Sequence, residues 1–379
     1  MNESSGTIPK GWQKKQIKDL LDYERPDNYI VKSTNYNDRE KTPVLTANKS
    51  FILGYTNEDF GVYENIPAII FDDFTTDSKY VDFPFKVKSS AIKILKEKDS
   101  GIDLRFVYEK IKSINFPTGS HKRYYISQYQ NMQIATPPLS EQRRIADVLS
   151  TVDDEINKTG EIIDATEKLK QGLMRKFFIQ DNGLDTTLEN IGEFKRGPFG
   201  GALKKEIFVA DGYKVYEQKN AIYNDFSLGS YFIDKEKFQQ MRGFAIKNGD
   251  ILISCSGTLG KVAVVPEKFR EGIINQALLK ITISKEWDVF YVKYLLESEH
   301  VQSRFTKVAP GSAMKNMASM QTIKATKIKK PKLGEQQKVV GVLLSVDEKI
   351  SINQKLKSKL VLLKKGLAQD LLSGKKRTI

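Results

Sequence analysis

Gly119-Ser120-His121-Lys122-Arg123-Tyr124-Tyr125 is the densest mixture of basic, hydroxyl and aromatic side chains in the chain. Ammonium, guanidinium and hydroxyl groups bind phosphate oxygens, and a guanidinium also matches the O6/N7 edge of guanine. Ser120, His121, Lys122, Arg123 and Tyr124 are therefore candidates for contact with a nucleic acid. Gly311-Ser312-Ala313-Met314-Lys315-Asn316 occupies a corresponding place later in the chain, and an asparagine amide can pair with an adenine edge. Ser312, Lys315 and Asn316 join the candidates. So do Thr75, Thr76, Lys79 and Tyr80, then Lys86 and Lys88, whose alternative is a set of solvated strand edges and turns. Arg196 opens a glycine-rich loop, Arg196-Gly197-Pro198-Phe199-Gly200-Gly201, flanked by Lys195 and Lys204, with similar chemistry.

Gly257-Thr258-Leu259-Gly260-Lys261 invites comparison with a phosphate loop and fails it. Cys255 stands where the first glycine would be, and Val262 follows the lysine instead of Ser or Thr. Ser254, Ser256, Thr258 and Lys261 can still offer hydroxyls and a cation to a phosphate; the alternative is a tight turn between core strands. Searches for catalysis come up empty. His121 and His300 are far apart, and Cys255 is the single cysteine, so no disulfide or cysteine-based metal site forms within the chain. Asp72-Asp73 and Asp153-Asp154 lack a nuclease pattern around them. There is no Asn-Pro-Pro-Tyr-type methyltransferase motif and no glycine fingerprint for a cofactor. A non-enzyme with no cofactor of its own is expected.

A length of 379 residues allows two or three domains. The formal net charge is +14, from 61 basic and 47 acidic residues, which favours a polyanion or an acidic surface as partner. No window approaches 18 apolar residues, and Met1–Trp12 contains no apolar signal core. The chain reads as cytoplasmic, with no membrane partner.

The elements that must hold these groups are announced by a repeat. Pro137–Phe178 and the stretch from Pro331 align without a gap at an offset of 194, set by Leu139 and Leu333. Pro137, Glu141, Gln142, Val148, Leu149, Val152, Asp153, Ile156, Leu169 and Lys170 are among the residues that recur. So many identities in one register mark a tandem duplication. Each copy starts like a helix, with a proline ahead and a glutamate in the first turn. Apolar residues then fall at steps of three and four over about five heptads, the pattern of a coiled-coil seam. Leu149, Val152, Ile156 and Leu169 in one copy, and Leu343, Val346, Ile350, Leu360 and Leu363 in the other, are the expected helix-pairing residues. Thr159 and Asn353 take matching polar seam positions. Each helix would be a rod of roughly 60 Å. The plainer alternative is two amphipathic helices packed on their own domains.

The order is a leader (1–11), a first domain (12–136), a helix (137–180), a second domain (185–330), a second helix (331–374) and a tail (375–379). Strand-like runs fill the first domain, with a helix over Asp103–Ile114. The second echoes the first faintly: Leu188 and Ile191 answer Ile17 and Leu20, and Asp288-Val-Phe-Tyr-Val answers Asp103-Leu-Arg-Phe-Val. The fold class is α/β (α+β), with two domains of mixed strands and helices. Two long helices separate them as an antiparallel coiled coil with pseudo-two-fold symmetry. Lys170, Lys364 and Lys365 are read as solubilising the helices, and Lys375-Lys376-Arg377 as a frayed tail.

This arrangement resembles the specificity subunit of type I restriction–modification systems. Pro137-Pro138-Leu139-x-Glu141-Gln142-x-x-Ile145-Ala146 with Leu149 and Asp153 carries the resemblance. So does Pro331-x-Leu333-x-Glu335-Gln336 with Val339, Leu343 and Asp347. Asn248-Gly249-Asp250-Ile251-Leu252-Ile253-Ser254 looks like the central strand of a target-recognition domain, and Pro9-Lys10-Gly11-Trp12 like the family's start. The first domain lacks that glycine–aspartate string, with Pro67–Thr75 in a comparable place, and reads as a different recognition-domain subtype. The resemblance implies a non-catalytic subunit of a restriction system, a phage-defence complex that methylates and cleaves DNA. Each domain would read one half of a bipartite site in double-stranded DNA, and the helices would set the spacer. Two methyltransferase subunits bringing S-adenosylmethionine would dock along the helices. Motor-nuclease (restriction) subunits using ATP and Mg would then join. Two readers roughly 34–36 Å apart enter the same face of a duplex, and such a rod suits that spacing. The alternatives from other classes are a coiled-coil protein-assembly scaffold with no direct DNA reading, and a free-standing DNA enzyme.

Overall fold

The computed structural model describes residues 8–48, 50–119, 122–179, 183–308 and 315–378. It divides into two compact units: unit 1 comprises Met1–Glu161 with Gln354–Ile379, and unit 2 comprises Ile162–Asn353.

In unit 1, β1 (Gln13–Gln16) leads through α1 (Ile17–Leu20) into β2 (Leu21–Glu24). β3 (Thr42–Leu45), β4 (Ile52–Thr56), β5 (Ala68–Asp72), β6 (Ser78–Val81), β7 (Lys86–Val87) and β8 (Ile92–Glu97) follow. α2 (Leu104–Lys112) and β9 (Gln133–Thr136) precede the first long helix, α3 (Leu139–Ile179). The strands form an antiparallel sheet in the order β2-β8-β5-β6, a second sheet β4-β3-β7 and a β1-β9 pair. β5 is a continuous apolar run because both its faces are covered. Alternation along a strand sends Ile69 and Phe71 to one side and Ala68 and Ile70 to the other. The first pair packs with Leu95 against α1, α2, the start of α3 and Leu371 and Leu372. The second packs with Ile94 against Leu45 and Val87 of the smaller sheet and the adjoining Phe85.

Unit 2 contains β10 (Leu184–Thr187), a short 3-10 turn at Leu188–Ile191, β11 (Gly192–Arg196), β12 (Tyr213–Tyr216), α4 (Gln218–Ile222), β13 (Phe232–Ile233) and α5 (Lys235–Gln240). Then come β14 (Ile251–Ser254), β15 (Val262–Val264), β16 (Gly272–Ile274), β17 (Leu278–Ile283), α6 (Val289–Glu297) and α7 (Glu299–Phe305). β18 (Thr306–Val308), β19 (Lys315–Met317), α8 (Met320–Lys324) and β20 (Lys327–Lys330) lead to the second long helix, α9 (Leu333–Leu372). Three of its sheets, β11-β17-β14-β15, β13-β12-β16 and β10-β20, repeat those of unit 1, and a further β18-β19 pair has no counterpart among the described residues of unit 1. Even the single parallel pairing recurs, β3 with β7 and β12 with β16. The faint echo in sequence is a repetition of three sheets in topology. Pro67–Thr75, which lacks the glycine–aspartate string, supplies β5 in the place β14 takes in unit 2.

The duplicated Glu-Gln motif has a structural reason. The Gln142 side chain accepts the Asp103 N–H (2.9 Å) and donates to Pro137 O (2.9 Å). Gln336 does the same with Asp288 N–H (2.8 Å) and Pro331 O (2.9 Å). Asp103 and Asp288 in turn cap α2 and α6 through their carboxylates. One glutamine thus ties the start of each long helix to the start of its unit's core helix.

The long helices pair antiparallel within each unit. In unit 1, Lys364 binds Asp153 (2.5 Å), while a Cβ on Gly160 would lie 2.8 Å from Lys357 Nζ. One helix advances seven residues as the other retreats seven. In unit 2, Lys170 binds Asp347 (2.6 Å), the same ion pair at the duplicated offset. Lys170 and Lys364 are therefore helix-pairing groups and not solubilising ones. The seam itself differs from a regular leucine heptad. Leu149, Leu343 and Val346 are buried and Val152, Ile156, Ile350 and Leu360 half-buried, but Leu169 and Leu363 are 54% and 51% exposed. Thr159 and Thr166 are buried instead, their hydroxyls bonded to their own helix at Glu155 O and Ile162 O. Small residues and ion pairs bring these helices together, leaving two expected seam leucines on the outside.

The tail is also more ordered than expected. Arg377 donates to both Glu141 carboxylate oxygens (2.6 and 2.8 Å) and to Lys10 O (2.9 Å). Trp12 Nε1 donates to the same carboxylate (3.0 Å). No helix among the described residues is long and apolar enough to cross a membrane.

Candidate nucleic-acid interface

In unit 1 the candidate groups gather at the end of β5. The β5–β6 turn is shaped by Asp72, whose carboxylate accepts the N–H groups of Phe74 and Thr75 (both 2.9 Å). Thr76 adopts a left-handed φ of 61°, and the Thr75 hydroxyl reaches Asn48 (3.3 Å). The segment after residue 121 hooks onto this point. Tyr124 N–H donates to Asp73 O (2.9 Å) and Tyr125 N–H to the Asp73 carboxylate (2.7 Å). Asp73 is buried and paired with Lys93 at 3.4 Å. The hook leaves Lys122 and Arg123 exposed, with the Arg123 guanidinium 5.6 Å from the exposed Phe74 ring. A cation resting on a ring is oriented without losing its charge.

Two expected contacts in unit 1, Lys86 and Tyr124, are enclosed, and Tyr80 is half-buried. Lys86 is fully buried on β7, where its ammonium donates to Phe60 O (2.6 Å), meets Glu58 (3.1 Å) and faces the Phe60 ring (4.5 Å). A buried cation needs such partners, so Lys86 holds a loop and does not reach outward. Burial alone would raise the Glu58 carboxyl. The N–H groups of Ser33 and Lys32, with Lys86, hold it below the ordinary carboxylate range. Tyr124 is buried, its ring beside Phe116 and its hydroxyl on the Gly119 backbone. Tyr80 packs inward under Arg105 and Tyr108. Lys79 is half-buried, as is Lys88, which lies over Tyr36. Ser120 and His121 lie outside the described residues.

In unit 2 the Gly249–Lys261 segment folds as strand and tight loop. Asp250 is buried and accepts Lys247 N–H (3.0 Å) and the Thr282 hydroxyl (2.7 Å). Ser254, expected to contact a phosphate, is buried and closes the loop from inside: its hydroxyl donates to Thr258 O (2.6 Å) and accepts Lys261 N–H (3.0 Å). Gly257 and Gly260 take left-handed φ values of 59° and 75°, which glycine adopts without strain. That architecture exposes Ser256, Thr258 and Lys261. Cys255 is buried, and burial pushes its thiol up to about 11, so it is no nucleophile at neutral pH. Arg196 and Lys204 are exposed, and half-buried Lys195 lies over Phe244. Lys315 and Asn316 belong to β19, whose backbone pairs with β18; Ser312 lies outside the described residues.

The model of the family described as "Type I restriction modification DNA specificity domain" matches residues 9–167 and 186–362. The chain belongs to that family. It is 28% identical to the Escherichia coli EcoR124I/EcoR124II type I restriction enzyme specificity subunit, covering 87% of this chain and 85% of that one. It is 22% identical to the Methanocaldococcus jannaschii MjaVIII specificity subunit, covering 98% and 94%. The crystal structure of the S subunit from M. genitalium shares the fold, with a TM-score of 0.64 at 17% identity over 98% of this chain and 99% of that one. As a type I specificity protein, the chain serves DNA recognition and not catalysis. The exposed basic and hydroxyl groups at the ends of β5 and β14 are then its candidate interface. Sequence reasoning picked the exposed members by chemical type. It could not separate them from Lys86, Tyr124 and Ser254, because burial depends on which strand face a residue takes. It also passed over Arg25, which lies beside Arg123 in one cleft, and gave Phe199 no role of its own.

Proposed function

We propose that each unit reads one half of a two-part site in double-stranded DNA and that the long helices set the unread gap between the halves. The observation that carries this reading is the repetition of one sheet topology with different loops at the same strand ends. A repeated scaffold with divergent loops suits two half-sites of unlike sequence. In this reading two methyltransferase subunits dock on the helices and bring S-adenosylmethionine. Motor-nuclease subunits join that complex with ATP and Mg. Support for two copies of one partner comes from exposed apolar residues that recur at the duplicated offset: Val148 with Val342, Ile162 with Leu356, and Leu169 with Leu363. An exposed apolar set occurring twice fits a partner bound twice.

Long-read methylation mapping in a cell expressing this chain with its partner methyltransferase tests the reading. The expected result is a motif of two short halves around a fixed gap, lost when the chain is deleted. Methylation that is unchanged by the deletion overturns it and leaves a protein-only scaffold as the better account. Inserting one heptad in both long helices should lengthen the gap and leave both halves intact.

A further inference from the structure

The two units place a cleft at the same end of the same sheet. In unit 1, Asp73 follows β5 and its N–H donates to Ala91 O, just ahead of β8 (2.9 Å). In unit 2, Cys255 follows β14 and its N–H donates to Ala277 O, just ahead of β17 (2.8 Å). Arg25 directly follows β2 in the first sheet, and Arg196 ends β11 in the second. β2 and β11 are the equivalent neighbours of β8 and β17. Around this shared point lies a cleft of about 380 Å³ in unit 1 and about 360 Å³ in unit 2.

The position and size match, but the chemistry does not. Arg25, Lys93 and Arg123 line the unit 1 cleft. Lys93 is neutralised by Asp73, while Arg25 and Arg123 have no carboxylate partner among the described residues. The unit 2 cleft is lined by Arg196, Phe199, Ser256 and Gln276. Arg196 is fixed in place: Nε donates to Gln276 O (2.9 Å) and Nη1 lies 3.2 Å from Met317 Sδ. Those neutral partners leave the charge of the guanidinium intact, and Nη2 makes no hydrogen bond among the described residues. Phe199, on the rim, is 89% exposed. The loop that carries it is pressed onto the strand end, because a Cβ on Gly197 would lie 1.8 Å from Asn275 O. A fixed arginine edge suits the O6 and N7 of guanine. A fully exposed phenyl suits a thymine methyl or the face of a parted base step.

We infer that these strand-end clefts are where the two units read base edges, unit 1 through Arg123 with Arg25 and unit 2 through Arg196 with Phe199. This rests on the proposed DNA reading, since it names the seat of that reading in each half. Sequence preference changes between the halves because the same backbone point carries different side chains.

The test is methylation mapping with the full chain and its partner subunits, comparing Arg123→Lys, Arg196→Lys and Phe199→Ala. Lysine keeps the charge and loses the bidentate edge. Arg196→Lys and Phe199→Ala should relax positions in one half only, with preference falling roughly tenfold to a hundredfold. Arg123→Lys should relax the other half. Co-purification of the partner subunits shows that each variant folds; should Arg196→Lys fail to assemble, Phe199→Ala carries the test of unit 2. Both halves unchanged, weaker methylation at every site with the motif intact, or relaxation of the same half by Arg123→Lys and Arg196→Lys would each overturn the assignment. If the unaltered chain imposes no two-part motif, the DNA reading itself fails, an outcome visible before any variant is made.

Discussion

Unit 1 closes around Glu141, whereas unit 2 leaves the equivalent Glu335 in solvent. Glu141 is 3% exposed and receives Trp12 and Arg377 on its two oxygens. Glu335 is exposed and, among the described residues, accepts only the N–H of Lys332 (3.2 Å) at the start of its own helix. The adjacent glutamines behave alike in both units. One dipeptide therefore mixes two roles: a glutamine clamp that the fold needs twice, and a glutamate that unit 1 has turned into a strap between both ends of the described chain. The hubs on the paired helices diverge in the same way. Asp153 gathers Lys364 and Arg105, with Glu109 beside both cations. Asp347 instead takes Lys170 and the Tyr294 hydroxyl (2.7 Å), whose phenol is pushed up by burial and then by that carboxylate.

The largest expected difference follows from the strap. Glu141→Ala leaves the buried Trp12 N–H and the partly exposed Arg377 guanidinium without their acceptor and should cost about 1–3 kcal/mol. Glu335→Ala should cost only about 0.5 kcal/mol, as for a surface site. Denaturant unfolding of the two variants checks this; equal losses would break the comparison. Next in size are the clamps. Gln142→Leu and Gln336→Leu each orphan a backbone N–H and a proline carbonyl, and each should cost about 2 kcal/mol. Here equality is the prediction, and a clear difference would show that one unit does not depend on its clamp.

The strap gives unit 1 an acid-sensitive contact. Arg377, by its hydrogen bond, holds the Glu141 carboxyl below its ordinary value; burial opposes this and Trp12 assists. The unfolded chain takes up that proton more readily than the folded one. The stability involved is therefore complete above the ordinary carboxylate range and is lost as pH falls through the depressed value. Each unit holds one of the two tryptophans, Trp12 or Trp287, so single-tryptophan variants report them separately. Trp12 fluorescence should report the loss of the strap as pH falls through the depressed Glu141 value, and Glu141→Gln should remove that change.

The repeat was legible in the sequence where side chains make specific bonds. Gln142, Asp153 and Lys170 recur as Gln336, Asp347 and Lys364, and each makes the equivalent bond in its unit. The shared sheets were barely legible, since backbone hydrogen bonds hold them. Ile69-Ile70-Phe71 and Ile251-Leu252-Ile253 fill the same strand with little identity, because any apolar side chain of suitable size satisfies a face. The capping aspartates, Asp103 and Asp288, showed through, with the apolar pairs Ile17 and Leu20 and Leu188 and Ile191. The interface was half legible. Residue type pointed to Arg123, Arg196 and Thr258, but the turn that buries Ser254 depends on two glycines in left-handed conformations. The inward placement of Lys86 depends on Glu58 and Phe60, more than twenty residues away.

The smallest expected effect on stability is the most informative about assembly. Leu169 and Leu363 are both more than half exposed, although a regular heptad would bury them. Replacing either with aspartate should change folding free energy by less than about 0.5 kcal/mol, because no packed cavity is left behind. If these leucines are matched contacts for two copies of one partner, each single change should halve the methyltransferase recovered per chain, and the double change should abolish it. Mass measurement of the purified complexes reads this directly. Loss of both copies from one substitution would mean that the partners bind as a unit. Full occupancy in the double variant would show that the outward leucines are not the docking contacts.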